Sequence, residues 1–92
     1  MIFPRQIRAA RALLGWNQNE LADAASIGVA TLRRLEVSGA QLRGSADVIW
    51  RIQVALEKAG VEFIADDELK GPGVRLKEST RSKTRRKHRS SG

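Results

Sequence analysis

The chain has 92 residues, with 17 lysines and arginines against 10 aspartates and glutamates, no cysteine and a formal net charge of +7. This length fits one small domain with a short extension, and the lack of cysteine excludes a disulfide framework and a thiolate metal site. No apolar run approaches the roughly 18 residues of a membrane span, and the N-terminus shows no apolar signal segment, so we expect a cytoplasmic protein with a polyanionic partner.

The positive charge is concentrated near the C-terminus. Residues 77–92 contain seven basic side chains and one acidic one, which leaves a net charge of +1 for residues 1–76. After Leu76 there is no apolar side chain, and such a segment buries too little surface to offset the entropy of ordering. We therefore predict a disordered basic tail over residues 78–92.

The first predicted element is a helix that begins near Pro4, because proline suits the first helical turn. Apolar side chains recur at helical spacing from Ile7 through Ala10 to Leu14. Gly15 is expected to end this helix.

Two short helices are predicted next. Asn17 is followed three residues later by Glu20, which is a capping-box pattern at a helix start. A turn of three residues, 26–28, separates this second helix from a third one over residues 29–36. The loop predicted after it, 37–44, contains two glycines.

A fourth helix is predicted from its cap Ser45 to a stop at Gly60. Beyond it the pattern changes, and residues 61–64 and 74–77 are predicted strands of a β-hairpin, with a Gly-Pro-Gly run in the connection. A short helical turn over residues 67–70 is an alternative for part of that connection.

The second and third helices carry the most specific signal. Two short helices joined by a three-residue turn cross at a steep angle, and this requires small residues such as Ala22 at the crossing. Counted from Gln18 as position one, the inward positions four, eight, ten, fifteen and eighteen are all apolar: Leu21, Ala25, Ile27, Leu32 and Leu35.

Together with the first helix, this segment resembles the lambda-repressor-like, Cro-type helix-turn-helix regulators, also called XRE-like. The resemblance covers about residues 5–60 and is carried by Ile7-Arg8-Ala9-Ala10-Arg11, Asn17-Gln18-Asn19-Glu20-Leu21-Ala22 and Thr31-Leu32-Arg33-Arg34-Leu35-Glu36. Residues 61–77 resemble C-terminal segments of some short bacterial members.

The resemblance implies a mainly α fold. We expect a four-helix lambda-repressor-like helix-turn-helix domain over residues 1–60, a β-hairpin extension over 61–77 and a disordered basic tail over 78–92.

The resemblance also implies sequence-specific binding of double-stranded DNA, with the third helix in the major groove. Val29, Ala30 and Arg34 match base-facing positions, and Gln18 matches a residue that contacts phosphate and supports the recognition helix. Arg11 and Glu36 match a structural ion pair between the first and third helices. The predicted DNA-binding residues are Gln18, Gly28, Val29, Ala30, Thr31, Arg33 and Arg34.

Two positions depart from the family pattern. Ser26 stands where the turn usually has glycine, so a left-handed conformation there is modestly strained. Val29 and Ala30 have no hydrogen-bonding side chain and suit only a thymine methyl or a close backbone approach. Hydrogen-bonded readout then depends on Arg34, with Arg33 and Thr31 as further candidates. The alternative for the two arginines is an ordinary solvated helix face.

Two surfaces allow alternative interpretations. Trp50 and Val54 lie on a flank of the fourth helix that either the hairpin or a second subunit covers. The tail is either a nonspecific phosphate-binding arm or a solubilising segment. The phosphate contacts predicted for it are Arg81, Lys83, Arg85, Arg86, Lys87 and Arg89.

The resemblance implies a transcriptional regulator, and we expect a repressor that binds a pseudo-palindromic operator as a homodimer on the bacterial nucleoid. The alternative is the antitoxin of a toxin–antitoxin pair, which binds a partner toxin and regulates its own operon. We expect no enzymatic activity, no cofactor and no membrane partner. His88 has no second histidine or cysteine to share a metal with, so no metal site is expected.

Overall fold

The computed structural model describes residues 2–37 and 46–78. Its elements are α1 (Pro4–Leu14), α2 (Gln18–Ala25), α3 (Val29–Glu36), α4 (Ala46–Lys58), β1 (Val61–Ile64) and β2 (Gly73–Leu76). The predicted mainly helical fold with a C-terminal hairpin is confirmed.

The ends of α1 follow from its sequence. Pro4 occupies the first turn after an extended Phe3, where the missing N–H of proline has no partner to lose. At the other end Gly15 adopts φ 70°, a left-handed conformation that ends the helix. The chain then turns back through a hydrogen bond of 2.9 Å from the N–H of Trp16 to the carbonyl of Arg11.

The turn between α2 and α3 also forms as predicted. The side chain of Asn17 accepts the N–H of Glu20, and the Glu20 carboxylate accepts the N–H of Asn17, both at 2.8 Å. Ser26 ends α2 at φ 58° and ψ 47°, the left-handed conformation that its position required. Arg51 of α4 donates to the carbonyl of Ser26 at 3.3 Å and so connects this turn to α4.

The core lies where α1, α2, α3 and α4 meet. Of the five predicted inward positions of α2 and α3, four are buried and Ile27 is half-buried. Helix α4 packs mainly against α2 and contributes three buried residues: Ile52, Ala55 and Leu56. Ile2, for which no core role was predicted, is also buried.

Helix α4 ends at Lys58, and Gly60 follows with φ 110°. Its predicted cap, Ser45, and residues 38–44 of the predicted loop lie outside the described residues. Along the described chain, no helix combines the length and apolar character needed to span a bilayer.

Strands β1 and β2 form an antiparallel hairpin in which Val61 pairs with Leu76 and Ile64 with Gly73. The second strand therefore begins and ends one residue earlier than predicted, because Gly73 is already opposite Ile64. The alternative helical turn in the connection does not form. Instead, the Asp67 carboxylate accepts the N–H groups of Leu69 at 2.8 Å and Lys70 at 2.7 Å. These bonds lower the pKa of Asp67 from its usual value.

A side chain without a predicted role joins the hairpin to α1. Gln6 is buried; its amide nitrogen donates to the carbonyls of Gly73 at 2.9 Å and Ile64 at 3.3 Å. Its amide oxygen accepts the N–H of Phe3 at 2.8 Å. Gln6 therefore fixes the strand ends against the first turn of α1.

Candidate nucleic-acid interface

Helix α3 has a buried face and an exposed face. Leu32, Leu35 and Glu36 are buried in the domain. The predicted DNA-facing residues lie on or beside the other face: Gly28, Ala30, Arg33 and Arg34 are exposed, whereas Val29 and Thr31 are half-buried. The structure thus brings these six candidates together along one short helix.

Arg33 and Arg34 lie in the last turn of α3. The guanidinium of Arg34 approaches the hydroxyl of Thr31 at 3.5 Å, so the two candidates for hydrogen-bonded readout are neighbours. A planar guanidinium on an exposed helix face can donate in parallel to guanine O6 and N7 or to phosphate oxygens.

The predicted ion pair between α1 and α3 is present and largely buried. Arg11 donates to both carboxylate oxygens of Glu36, from Nε at 2.7 Å and from Nη2 at 2.9 Å. The Glu36 side chain is only 2% exposed and that of Arg11 18%. Arg11 also donates to the carbonyl of Trp16 at 3.2 Å. This network fixes the C-terminal end of α3 against α1.

Gln18, the first residue of α2, belongs to the same network. Its amide nitrogen donates to Oε1 of Glu36 at 2.9 Å. The supporting role that the resemblance implied for Gln18 thus has a structural basis. The contact with phosphate that it also implied stays a prediction.

Arg8 is a member of the site that sequence analysis missed. One of its guanidinium nitrogens donates to the main-chain carbonyl of Glu36, at the end of α3. The spacing of Arg8 could have indicated this role: it precedes Arg11 by three residues, so both lie on the same side of α1. Together they line an open groove of about 690 Å³ whose walls are Arg8, Arg11, Gln18, Arg33, Arg34, Glu36 and Val37.

The flank of α4 around Trp50 is not covered by the hairpin. Trp50 is 60% exposed, while Val54 is half-buried. Beside them, Asp47 and Arg51 form an ion pair of 3.0 Å along the helix. The hairpin therefore does not cover Trp50, and the alternative contact with a second subunit stays a prediction.

The other predicted contacts fall elsewhere. The tail candidates Arg81, Lys83, Arg85, Arg86, Lys87 and Arg89 lie outside the described residues. Within residues 2–37 and 46–78, no group of three histidine, cysteine or acidic side chains is placed to hold a metal ion.

Comparison with known protein families matches residues 7–58 to the helix-turn-helix family. The match covers more than half of the chain and extends from the second turn of α1 to the last residue of α4. No curated protein matches the chain. The matched region contains the two crossed helices, the exposed face of α3 and the network around Glu36. The chain therefore belongs to the XRE, or lambda-repressor-like, helix-turn-helix family of DNA-binding transcription regulators.

Proposed function

We propose that the protein is a repressor that binds a pseudo-palindromic operator as a homodimer, with α3 in the major groove. The observation that carries the proposal is the division of α3 into two faces. Its inner face is held by the buried Glu36 network, and its outer face presents Arg33 and Arg34. A helix fixed in this way loses little conformational entropy on binding.

The exposed face of α3 suggests how bases are read. Near its start, the exposed Ala30 and the half-buried Val29 are small enough to allow a close approach and suit contact with a thymine methyl. Arg34, one turn further along, supplies the hydrogen bonds, and guanine is the base that an arginine fork reads best. We therefore expect each half-site to contain a guanine that depends on Arg34.

We infer a homodimer because the exposed face of α3 is small. Helix α3 has eight residues, and one such helix contacts few base pairs. Two copies placed about one helical turn apart read two half-sites and increase both affinity and specificity. We assign the dimer contact to the Trp50 face, defined by Trp50 and Val54, because exposed aromatic residues are typical of interface centres.

The basic tail has a supporting role in this proposal. Its six lysine and arginine candidates would neutralise phosphates of any sequence, which raises affinity without improving discrimination. A protein that binds operator DNA is expected in the bacterial cytoplasm, on the nucleoid.

The antitoxin remains the alternative function, and one observation favours it. Ile64 is 39% exposed at the end of β1 and Leu69 is 91% exposed in the hairpin connection. Among the described residues the sheet has only two strands, and exposed apolar side chains on such a hairpin suit capture of a partner protein by strand addition. In that case the tail would fold on an acidic surface of the toxin.

Selection of bound fragments from genomic DNA tests the proposal. We expect enrichment of one pseudo-palindromic motif whose half-sites are about one helical turn apart. Failure to enrich any motif at moderate salt would contradict the proposed operator binding. Copurification of a stable small partner encoded beside this gene would favour the antitoxin.

A further inference from the structure

The groove between α1 and α3, introduced above with its seven lining residues, carries an excess of positive charge. Four arginines face one carboxylate, that of Glu36, and Arg11 already pairs with it. Among residues 2–37 and 46–78, neither Arg8 nor Arg33 forms an ion pair. A concave surface of about 690 Å³ with this charge is suited to an anion.

Arg8 is held at the rim of this groove and keeps donors available. It is exposed, and its described hydrogen bond goes to the uncharged main-chain carbonyl of Glu36. That bond fixes the guanidinium near the end of α3 and leaves further N–H donors and the full positive charge available. Arg11, by contrast, is largely buried and directs three nitrogens to Glu36 and Trp16.

We propose that the α1–α3 groove binds a backbone phosphate of DNA and that Arg8 donates to its oxygens. The inference rests on the proposed function, because it needs duplex DNA along the exposed face of α3. It adds a phosphate contact from α1 that neither the sequence nor the family match assigns.

The geometry explains why a phosphate would be bound here. A helix in the major groove has sugar-phosphate strands on both sides, and the α1–α3 groove opens beside Arg33 and Arg34 on α3. Guanidinium and phosphate form short, charge-assisted hydrogen bonds, often two in parallel. Because Arg8 is also bonded to the end of α3, this contact would set the depth and register of α3.

Neutral methylphosphonate linkages, placed one at a time in the selected operator, test the contact directly. The wild type should lose about tenfold in affinity at one linkage in each half-site, as expected for one charge-assisted hydrogen bond. Arg8→Gln removes the positive charge and shortens the side chain, so it should bind more weakly and show no further decrease at that linkage. Equal sensitivity of wild type and Arg8→Gln at every linkage would overturn the proposal.

Arg75→Ala is the matched control, because it removes the same charge from a residue that pairs with Glu62 on the hairpin. It should keep the wild-type sensitivity at each linkage. Thermal unfolding of Arg8→Gln should stay near that of the wild type, since Arg8 is exposed and substitutions of exposed side chains usually change stability little.

A second measurement separates this inference from the proposed function. On mixed-sequence DNA, Arg8→Gln should flatten the dependence of log K on log salt by about 0.9 for each phosphate that Arg8 no longer neutralises. This result is expected even if no specific operator exists, so its failure counts against the groove alone. An unchanged slope on mixed-sequence DNA together with unchanged linkage sensitivity would remove Arg8 from the interface.

Discussion

At the scale of single residues, the Glu36 carboxylate connects α3 to α1 and α2. It is buried, and burial of a carboxylate is costly unless hydrogen bonds and an opposite charge compensate. Two bonds from Arg11 and one from Gln18 supply that compensation. Because the three residues come from α1, α2 and α3, a substitution of any one of them should disturb the packing of all three helices.

Arg11→Ala should destabilise the domain by about 3–5 kcal/mol, because it leaves the buried Glu36 without its counter-charge. Combining it with Glu36→Ala should cost less than the sum of the two single variants, since the double variant has no unpaired buried charge. Urea denaturation of the four proteins measures this coupling.

The control for the ion pair is Arg75→Ala, which breaks a cross-strand pair with Glu62 that is exposed on both sides. Exposed pairs contribute about 0–1 kcal/mol. Strictly additive losses for Arg11→Ala and Glu36→Ala would show that the two side chains do not stabilise each other.

At the scale of elements, the backbone of the turn between α2 and α3 is strained at Ser26, and a glycine there would relieve the strain. Ser26 has φ 58°, and a left-handed conformation costs a residue with a Cβ about 1–2 kcal/mol. Ser26→Gly should therefore raise the free energy of unfolding by up to about 1 kcal/mol, after the extra flexibility of glycine in the unfolded chain. Thermal and urea unfolding provide the measurement.

Gly15→Ala makes the opposite change, because it places a Cβ on a residue that is already left-handed. Gly15 has φ 70°, and a Cβ placed there meets nothing within 4 Å, so any loss of stability arises from the backbone alone. We expect Gly15→Ala to destabilise the domain. If Ser26→Gly proved destabilising instead, the serine side chain would have a role that the strain argument omits.

Gln6 connects the hairpin to α1 by hydrogen bonds. Gln6→Ala leaves three main-chain groups without this partner, those of Phe3, Ile64 and Gly73. A fully buried polar group left unsatisfied costs about 1–3 kcal/mol; these three groups are part-buried, so each should cost less. We expect lower stability and faster amide hydrogen exchange in β1 and β2.

Gln53→Ala is the matched control for Gln6, since Gln53 is half-buried on α4 and bonds to Glu57 in the same helix at 3.3 Å. It should leave exchange in the strands unchanged. Similar exchange in Gln6→Ala and Gln53→Ala would mean that packing alone holds the hairpin.

Contacts between neighbours in the sequence could be predicted, whereas contacts between distant residues could not, unless the family resemblance implied them. The bounds of α2 and α3 were predictable because Asn17, Glu20 and Ser26 act within a few residues of their own position. The Arg11–Glu36 pair was predictable from the family resemblance. The contacts of Gln6 were not, since they connect residues 58 and 67 positions apart. Arg8 was missed for the same reason: its partner lies 28 residues away.

At the scale of the whole molecule, net charge and specificity have different origins. The charge of +7 comes mostly from residues 77–92, whereas residues 1–76 carry +1. Overall charge raises affinity for any polyanion and accelerates encounter. In the proposed function, discrimination between sequences comes from the exposed face of α3, whose end is bonded to α1 and α2 through Glu36.

Trp50→Lys should shift the protein from dimer to monomer, because a charge on the Trp50 face cannot be buried against a second copy. Sedimentation at micromolar concentration measures the state. Leu69→Lys is the control: it adds the same charge at another exposed apolar residue and should leave the dimer intact. A dimer that survives Trp50→Lys would place the subunit contact elsewhere.

The central claim is that α3 reads bases through Arg34, and the ratio of operator to mixed-sequence affinity tests it most directly. Arg34→Ala should lower that ratio by at least about fivefold per half-site, the equivalent of about 1 kcal/mol or more of lost base discrimination. Affinity for mixed-sequence DNA should change little. Equal losses on both DNAs, with the ratio preserved, would contradict the account by showing that Arg34 contacts the backbone and not the bases.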